Sequence, residues 1–271
     1  MGATGNKSVM GGASTMSSQT QNQAQAQPQP QIVPSAQQAV NANNQQFSDT
    51  DNGPFKDFYG GRQYYQNQTF SVDTEMAIAD YLYDQPVGGT LYSPSQTMNY
   101  KMIQGQSLTP QEVFMRDSLM EGMHNLGYNM NLEHYGRVGY IDDFGQRAIR
   151  QGLTSTAINQ NNFENMSIAQ LKKAFVGMEY SEAGFVSTSY NKFKNAPNGG
   201  APFTDKAVKI NIKAPAWSQA LMPGNGPGGA LGEIVLAPDQ RYRVTDVRFT
   251  GKKGRSGSSS YKQIEFDVEM Y

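Results

Sequence analysis

Three groups of residues in this 271-residue chain have types and neighbours that could do chemistry. The first is Gly184-Phe185-Val186-Ser187-Thr188-Ser189. Side chains alternate along an extended strand, so Ser187 and Ser189 share one face and Thr188 takes the other. Two hydroxyls on one face of a rigid strand can orient a neighbouring anion. The second group is Gly232-Glu233-Ile234-Val235-Leu236-Ala237-Pro238, a carboxylate opening an apolar strand just after the glycine-rich stretch Pro223 to Gly229. A carboxylate held by a strand at the mouth of a cleft can stabilise a developing cation. The third is Tyr135-Gly136-Arg137-Val138-Gly139, which reads as part of an early strand. A guanidinium fork there matches the oxygens of a phosphate. Each group also has an ordinary reading: hydroxyls are common in strands, and a strand-end Glu or Arg can simply face water. Their order along the chain gives them joint weight.

Composition narrows the chemistry. The chain has no cysteine, which excludes disulfides, thiolate metal sites and a Cys nucleophile. Its two histidines, His124 and His134, are too few for a multi-His metal centre, so no metal is expected. The net charge is -1 and the isoelectric point about 6.1, so overall charge supports neither a nucleic-acid nor a membrane partner. No apolar run approaches the roughly 20 residues that span a bilayer. The opening Met1 to Lys7 lacks the apolar core of a secretory signal, and Asn6 stands where a myristoylation signal needs Ser or Thr. A soluble protein is expected.

Elements must position those side chains. Residues 1–50 hold 11 Gln, with Lys7 and Asp49 as their charges and Phe47 as their lone aromatic. Such a segment buries too little apolar surface to offset its ordering entropy, and reads as a disordered tail or tether. The alternative is a docking arm. A single domain is expected over residues 51–271, with order beginning between Asn52 and Phe70. Ser71 can cap a helix whose apolar contacts are Met76, Ile78, Ala79 and Leu82, ended by Gly88-Gly89. Thr109-Pro110-Gln111-Glu112 is a capping box. Met115, Leu119, Met123 and Leu126 continue that helix, with Gly127 as its stop. Leu132 to Ile141 reads as a strand and Ser167 to Val176 as a short helix. Val208, Ile210 and Ile212 alternate with polar residues, so one face of that strand is buried. The terminal strand, with Ile264, Phe266, Val268 and Met270 on one face, is expected to pair with 241–249 across a polar loop from Gly251 to Ser260. Helices first and strands later imply an α+β fold.

An Arg strand, a helix, Phe-x-Ser-Thr-Ser, a glycine-rich loop and then Glu-Ile-Val-Leu resembles the Arg–Ser–Glu class of mono-ADP-ribosyltransferases, which includes bacterial exotoxins and phage-encoded enzymes. Upstream, Ala77 to Tyr81 and Asn99 to Gly105 are similar to the family's helical preface, and downstream the likeness runs through Arg241 to Val244. It covers residues 70 to 271. The resemblance implies a split β-sandwich of two abutting antiparallel sheets, with flanking helices and NAD in the cleft between them. It implies Glu233 as the catalytic glutamate, Ser187 as the residue that orients it, and Arg137 on the NAD phosphates. Val138, Phe185, Thr188, Ser189 and Phe193 would complete the NAD site, with Phe193 in a loop from Tyr190 to Pro202 that also carries Lys192 and Lys194. A loop from Trp217 to Leu231 would meet the acceptor through Trp217, Met222 and Leu231. Leu231 departs from the family, which carries a carboxylate or Gln two places before the catalytic Glu. Val138 stands where Gly is frequent, and His134-Tyr135-Gly136 resembles the histidine–tyrosine subclass, against which the intact Ser187-Thr188-Ser189 argues.

The implied activity is transfer of ADP-ribose from NAD to a macromolecular acceptor, most simply a host protein, in a host cytoplasm or from a virion. NAD hydrolysis on the same fold and a non-enzymatic particle component are the alternatives. Because residues 1–45 have so little apolar content to pack, deleting them is expected to leave both the melting temperature and NAD cleavage unchanged. A drop of more than about 3 °C, the scale of a 1 kcal/mol loss in a domain of this size, would show that this segment docks on the domain.

Overall fold

The computed structural model describes residues 68–82, 93–190, 206–223 and 233–271. The tail, Gly88-Gly89, Lys192, Phe193, Lys194 and Leu231 lie outside the described residues.

Among the described residues, three helices come first. Helix α1 spans Val72–Leu82. Ser71 caps it, its Oγ accepting the Thr74 N–H at 3.1 Å. The inward stripe is Thr74, Ala77, Ile78 and Tyr81, with Leu82 packed against the same cluster; Ile78 and Leu82 are as expected, but Met76 is 55% exposed and Ala79 faces solvent. The reason is polar, since the Thr74 hydroxyl donates to the Ser118 carbonyl at 3.0 Å and fixes which face turns inward. Helix α2, Pro94–Ile103, is capped by Ser93. Helix α3, Pro110–Glu121, opens with the expected capping box, Glu112 accepting the Thr109 N–H at 2.7 Å. Lys101 of α2 donates to the same Glu112 at 2.8 Å and ties the two helices together. Helix α3 ends at Gly122 rather than Gly127. A Cβ on Gly122 would sit 2.6 Å from the Thr74 methyl and 2.9 Å from Leu221, so this crossing needs glycine. Gly127 lies instead in a turn with φ of 77°.

The remaining elements are β1 (His124–Asn125), β2 (Met130–Gly136), α4 (Gly139–Arg150), a 3-10 turn (Phe163–Asn165), α5 (Ile168–Phe175), β3 (Glu179–Ser181), β4 (Val186–Ser189), β5 (Val208–Ala214), β6 (Gln219–Leu221), β7 (Glu233–Leu236), β8 (Arg241–Ser256) and β9 (Ser259–Met270). The strand expected to reach Ile141 therefore stops at Gly136, and a helix takes over. The stripe Ile141, Phe144 and Ala148 has helical spacing, and all three residues are fully buried. Strands β8 and β9 run through the expected polar loop and turn at Gly257, with φ of 62°.

The strands form one sheet in the order β1-β6-β7-β4-β2-β5-β9-β8-β3. All neighbours are antiparallel except β5 and β9, which run parallel. One pair, Glu133 opposite Ser189, joins β2 to β4. A four-stranded half and a five-stranded half thus meet at a single residue pair, which is the split sandwich with flanking helices that the sequence suggests. The main core lies on one face, where Phe144 of α4 and Phe175 of α5 each pack against Phe266 of β9. A second cluster covers the other face of the four-stranded half, joining Ala77, Ile78, Tyr81, Met98, Met115 and Leu119 to Phe185, Leu221 and Val235.

Helix α4 lies so close to the following loop that a Cβ on Gly145 would fall 1.9 Å from the Ile158 carbonyl oxygen. A backbone atom cannot swing away as a side chain can. Gly145→Ala is therefore expected to lower the unfolding free energy by about 2 kcal/mol or more, despite a helix-propensity gain of about 1 kcal/mol. An unchanged urea midpoint would contradict this packing.

Candidate active site

The β4–β7 register sets the site. Ser189 pairs with Glu233, Thr188 with Ile234, Ser187 with Val235 and Val186 with Leu236. Opposed residues share a face, so Glu233, Ser187 and Ser189 lie together while Thr188 turns to the main core. Ser189 is the directly opposed neighbour of Glu233, and Ser187 is the diagonal one. All three are half-buried. Thr188 is buried and donates its hydroxyl to the Ile234 carbonyl at 2.7 Å, locking the two strands.

Ser187 is gripped from both sides of the sheet. On the helical side its Oγ lies 3.1 Å from the Tyr81 hydroxyl. On the core side its carbonyl accepts from His134 Nδ1 at 2.8 Å. That bond fixes the His134 tautomer, leaving Nε2 to accept from the Tyr140 hydroxyl at 3.1 Å. Burial pushes the His134 pKa down, against the bond to Ser187, and so favours this neutral form. Gly136 makes the arrangement possible, because a Cβ there would strike the Tyr140 ring at 2.6 Å.

On the same face, the five-stranded half is polar. Lys209 Nζ contacts Glu133 at 2.9 Å and Glu265 at 3.1 Å. Tyr135 donates to Glu133 at 2.9 Å. Asn211 links Glu265 to Asp267, and Arg248 forks onto Asp267 at 2.6 and 3.0 Å and reaches Glu265 at 3.1 Å. The hydrogen bond to Asp267, with the charges of Asp267 and Glu265, holds the Arg248 pKa above its usual value, and the hydrogen bonds from Arg248 and Asn211 hold the Asp267 carboxyl below its own, each against the cost of burial. Charges of both signs therefore line the face without leaving a strong net field.

Arg137 is one residue beyond β2 rather than within a strand, and it is exposed. Continued alternation from Glu133 and Tyr135 carries it toward the Glu233 face. Val138 is buried, and its N–H donates to the Ser256 Oγ at 3.4 Å. Phe185 is 5% exposed and packs edge-on against Tyr81 in the second cluster. Trp217 is half-buried between β5 and β6. Met222 is fully buried in the main core, so its side chain is not offered to an acceptor. The expected acceptor loop in fact begins with strand β6, whose Ala220 and Leu221 pair with Leu236 and Val235 of β7. In the sequence Tyr81 and Asn99 stand out only as parts of a helical preface, and nothing there pairs His134 or Tyr140 with a partner. Apart from the His134–Tyr140 bond, six residues apart, the contacts that tie them to β4 and its start span 53 residues or more, so no local pattern announces them. Among the described residues, no group of three or more His, Asp or Glu side chains is placed to hold a metal ion.

No family model matches the chain, and no curated relative matches it. Solved structures do. An ADP-ribosyltransferase from Clostridium botulinum matches with a TM-score of 0.54 at 17% identity, over 83% of this chain and 99% of that one. An ADP-ribosyltransferase toxin from Paenibacillus larvae matches with a TM-score of 0.52 at 16% identity, over 80% and 94%. A protein from S. aureus, determined with NAD, matches with a TM-score of 0.50 at 15% identity, over 78% and 92%. The fold is that of the ADP-ribosyltransferases.

The half-buried, neutral His134 has a consequence for stability. Its folded pKa is depressed, so the unfolded chain takes up a proton first as the pH falls through about 6.5. His124, depressed by burial, acts in the same direction. Asp143 and Glu182, raised by burial, oppose it at lower pH. Unfolding free energy is thus expected to fall more between pH 7 and pH 5 in the wild type than in His134→Gln, where the other groups are common to both proteins. Parallel pH profiles would place His134 outside the buried network.

Proposed function

We propose that this protein is a mono-ADP-ribosyltransferase that binds NAD in the cleft where the two half-sheets part. Nicotinamide is a good leaving group, so its departure needs no strong acid. The barrier lies in the cation left on the ribose. As the glycosidic bond breaks, its electron pair leaves with nicotinamide and C1′ becomes oxocarbenium-like. Glu233, hydrogen-bonded to the ribose 2′-hydroxyl, stabilises that cation electrostatically. The acceptor nucleophile then bonds to C1′ and gives up its proton. The single observation that carries this reading is the β4–β7 register, which puts Ser187, Ser189 and Glu233 on one face of an ADP-ribosyltransferase fold.

Ser187 orients Glu233, and Ser189 flanks it at the nicotinamide end. Arg137 clamps the NAD phosphates, with the buried Val138 fixing the turn that presents it. Thr188 and Phe185 act indirectly, by holding the strand, and Phe193 contributes to NAD binding. The acceptor is a macromolecule, most simply a protein, met through Trp217 and Leu231. Leu231 offers an acceptor only apolar contact, where a carboxylate would attract and deprotonate a guanidinium. That feature supports NAD hydrolysis as the second reading.

Replacing the Glu233 carboxylate by an amide keeps its shape and removes its charge. Glu233→Gln is expected to lower turnover by about 10²-fold or more while leaving fold and NAD affinity intact. Near wild-type turnover would remove Glu233 from the mechanism.

A further inference from the structure

Tyr81 enters the site from α1, and its ring fills the second cluster at 6% exposure. Its edge meets the Phe185 ring with centroids 5.9 Å apart. A buried phenol needs partners for its hydroxyl. Tyr81 has two: Ser187 Oγ at 3.1 Å and Asn99 Nδ2 at 3.3 Å.

Asn99 is itself fixed. Its Oδ1 accepts the Phe185 N–H at 3.0 Å, and its Nδ2 donates to the Phe185 carbonyl at 3.3 Å as well as to Tyr81. The side-chain amide of α2 thus bonds to the backbone just ahead of β4, two residues before Ser187. Its orientation is determined, since exchanging O and N would set a donor against a donor. Gly184 leaves it room, as a Cβ there would lie 3.2 Å from Asn99 Oδ1.

The directions follow. Asn99 is a donor, so the Tyr81 oxygen accepts from it, and the Tyr81 proton is left to go to Ser187 Oγ. Ser187 then has its own proton free to offer on the face it shares with Glu233. Burial, chiefly, and the nearby Glu233 charge push the Tyr81 pKa up to about 12, so the hydroxyl stays protonated at any working pH.

We infer that Tyr81, held by Asn99, is a positioning residue that aims the Ser187 hydroxyl at Glu233. The inference rests on the reading of Glu233 and Ser187 given under the proposed function. A purely structural role would instead have Tyr81 only tying α1 to the sheet.

The test is Tyr81→Phe, which keeps the ring and removes the hydroxyl, assayed by nicotinamide release from NAD. The expected result is a kcat about tenfold lower, with KM for NAD within about twofold, as befits the loss of a transition-state contact. Asn99→Ala should act in the same direction and guards against a folding failure of the first variant. In a Ser187→Ala background neither change should lower kcat further, because a residue acting through Ser187 has nothing left to aim. Wild-type kcat in Tyr81→Phe, or effects that add to that of Ser187→Ala, would overturn the inference alone. A wild type that releases no nicotinamide would overturn the reading beneath it as well.

Discussion

The two half-sheets are joined at one residue pair, Glu133 with Ser189, and the site depends on that seam. Ser189 faces Glu133 on one side and Glu233 on the other. Strands that part beyond a single pair open a cleft, but they also strand backbone groups. An unpaired buried carbonyl costs about 1–3 kcal/mol. At Ser187 the cost is avoided by a side chain: the His134 ring donates to the carbonyl where a neighbouring strand would otherwise do so. The hydroxyl of the same residue is left for the helical side. A cleft and a fixed serine thus come from one device.

The polar face beside the seam constrains what can bind there. Lys209 is shared between Glu133 and Glu265, and Arg248 between Asp267 and Glu265. Each cation is committed to carboxylates and has little charge left for a phosphate. Arg137, exposed at the end of β2, makes no ion pair with a described residue. An anionic ligand lying along the face would accordingly be drawn to the strand end and not to its middle. Under the proposed function, the phosphates of NAD lie at that end and Glu233 is left to the ribose that becomes cationic.

Local patterns are readable in the sequence and remote partnerships are not. The Thr109–Glu112 box is written within four residues, the alternation of β5 and of the end of β9 needs nothing beyond a buried face, and β7 is a short apolar run buried on both faces. Helix α4 is hidden because no side chain caps it: its N-cap is Val138, and the preceding strand runs almost directly into it. The buried stripe of α1 differs from its apolar pattern because it starts at a threonine whose hydroxyl finds a partner 44 residues away. Met222 reads as a loop residue because Pro223 and the glycines follow it, yet β6 carries the chain into the core just before. Of the site, Ser187, Ser189 and Glu233 are visible by type and order, because a motif needs no distance information. Tyr81, Asn99 and His134 act on Ser187 or its strand from 106, 86 and 53 residues away along the chain. Only the folded register brings them there.

The central claim is that this cleft breaks the nicotinamide–ribose bond and passes the ribose on. The measurement that tests it most directly is incubation of the full chain with NAD labelled in its adenosine half, in a cell lysate, following free nicotinamide and label bound to macromolecules together. The expected result is that nicotinamide is released and that a matching amount of label appears on protein. No release above the uncatalysed background would contradict it.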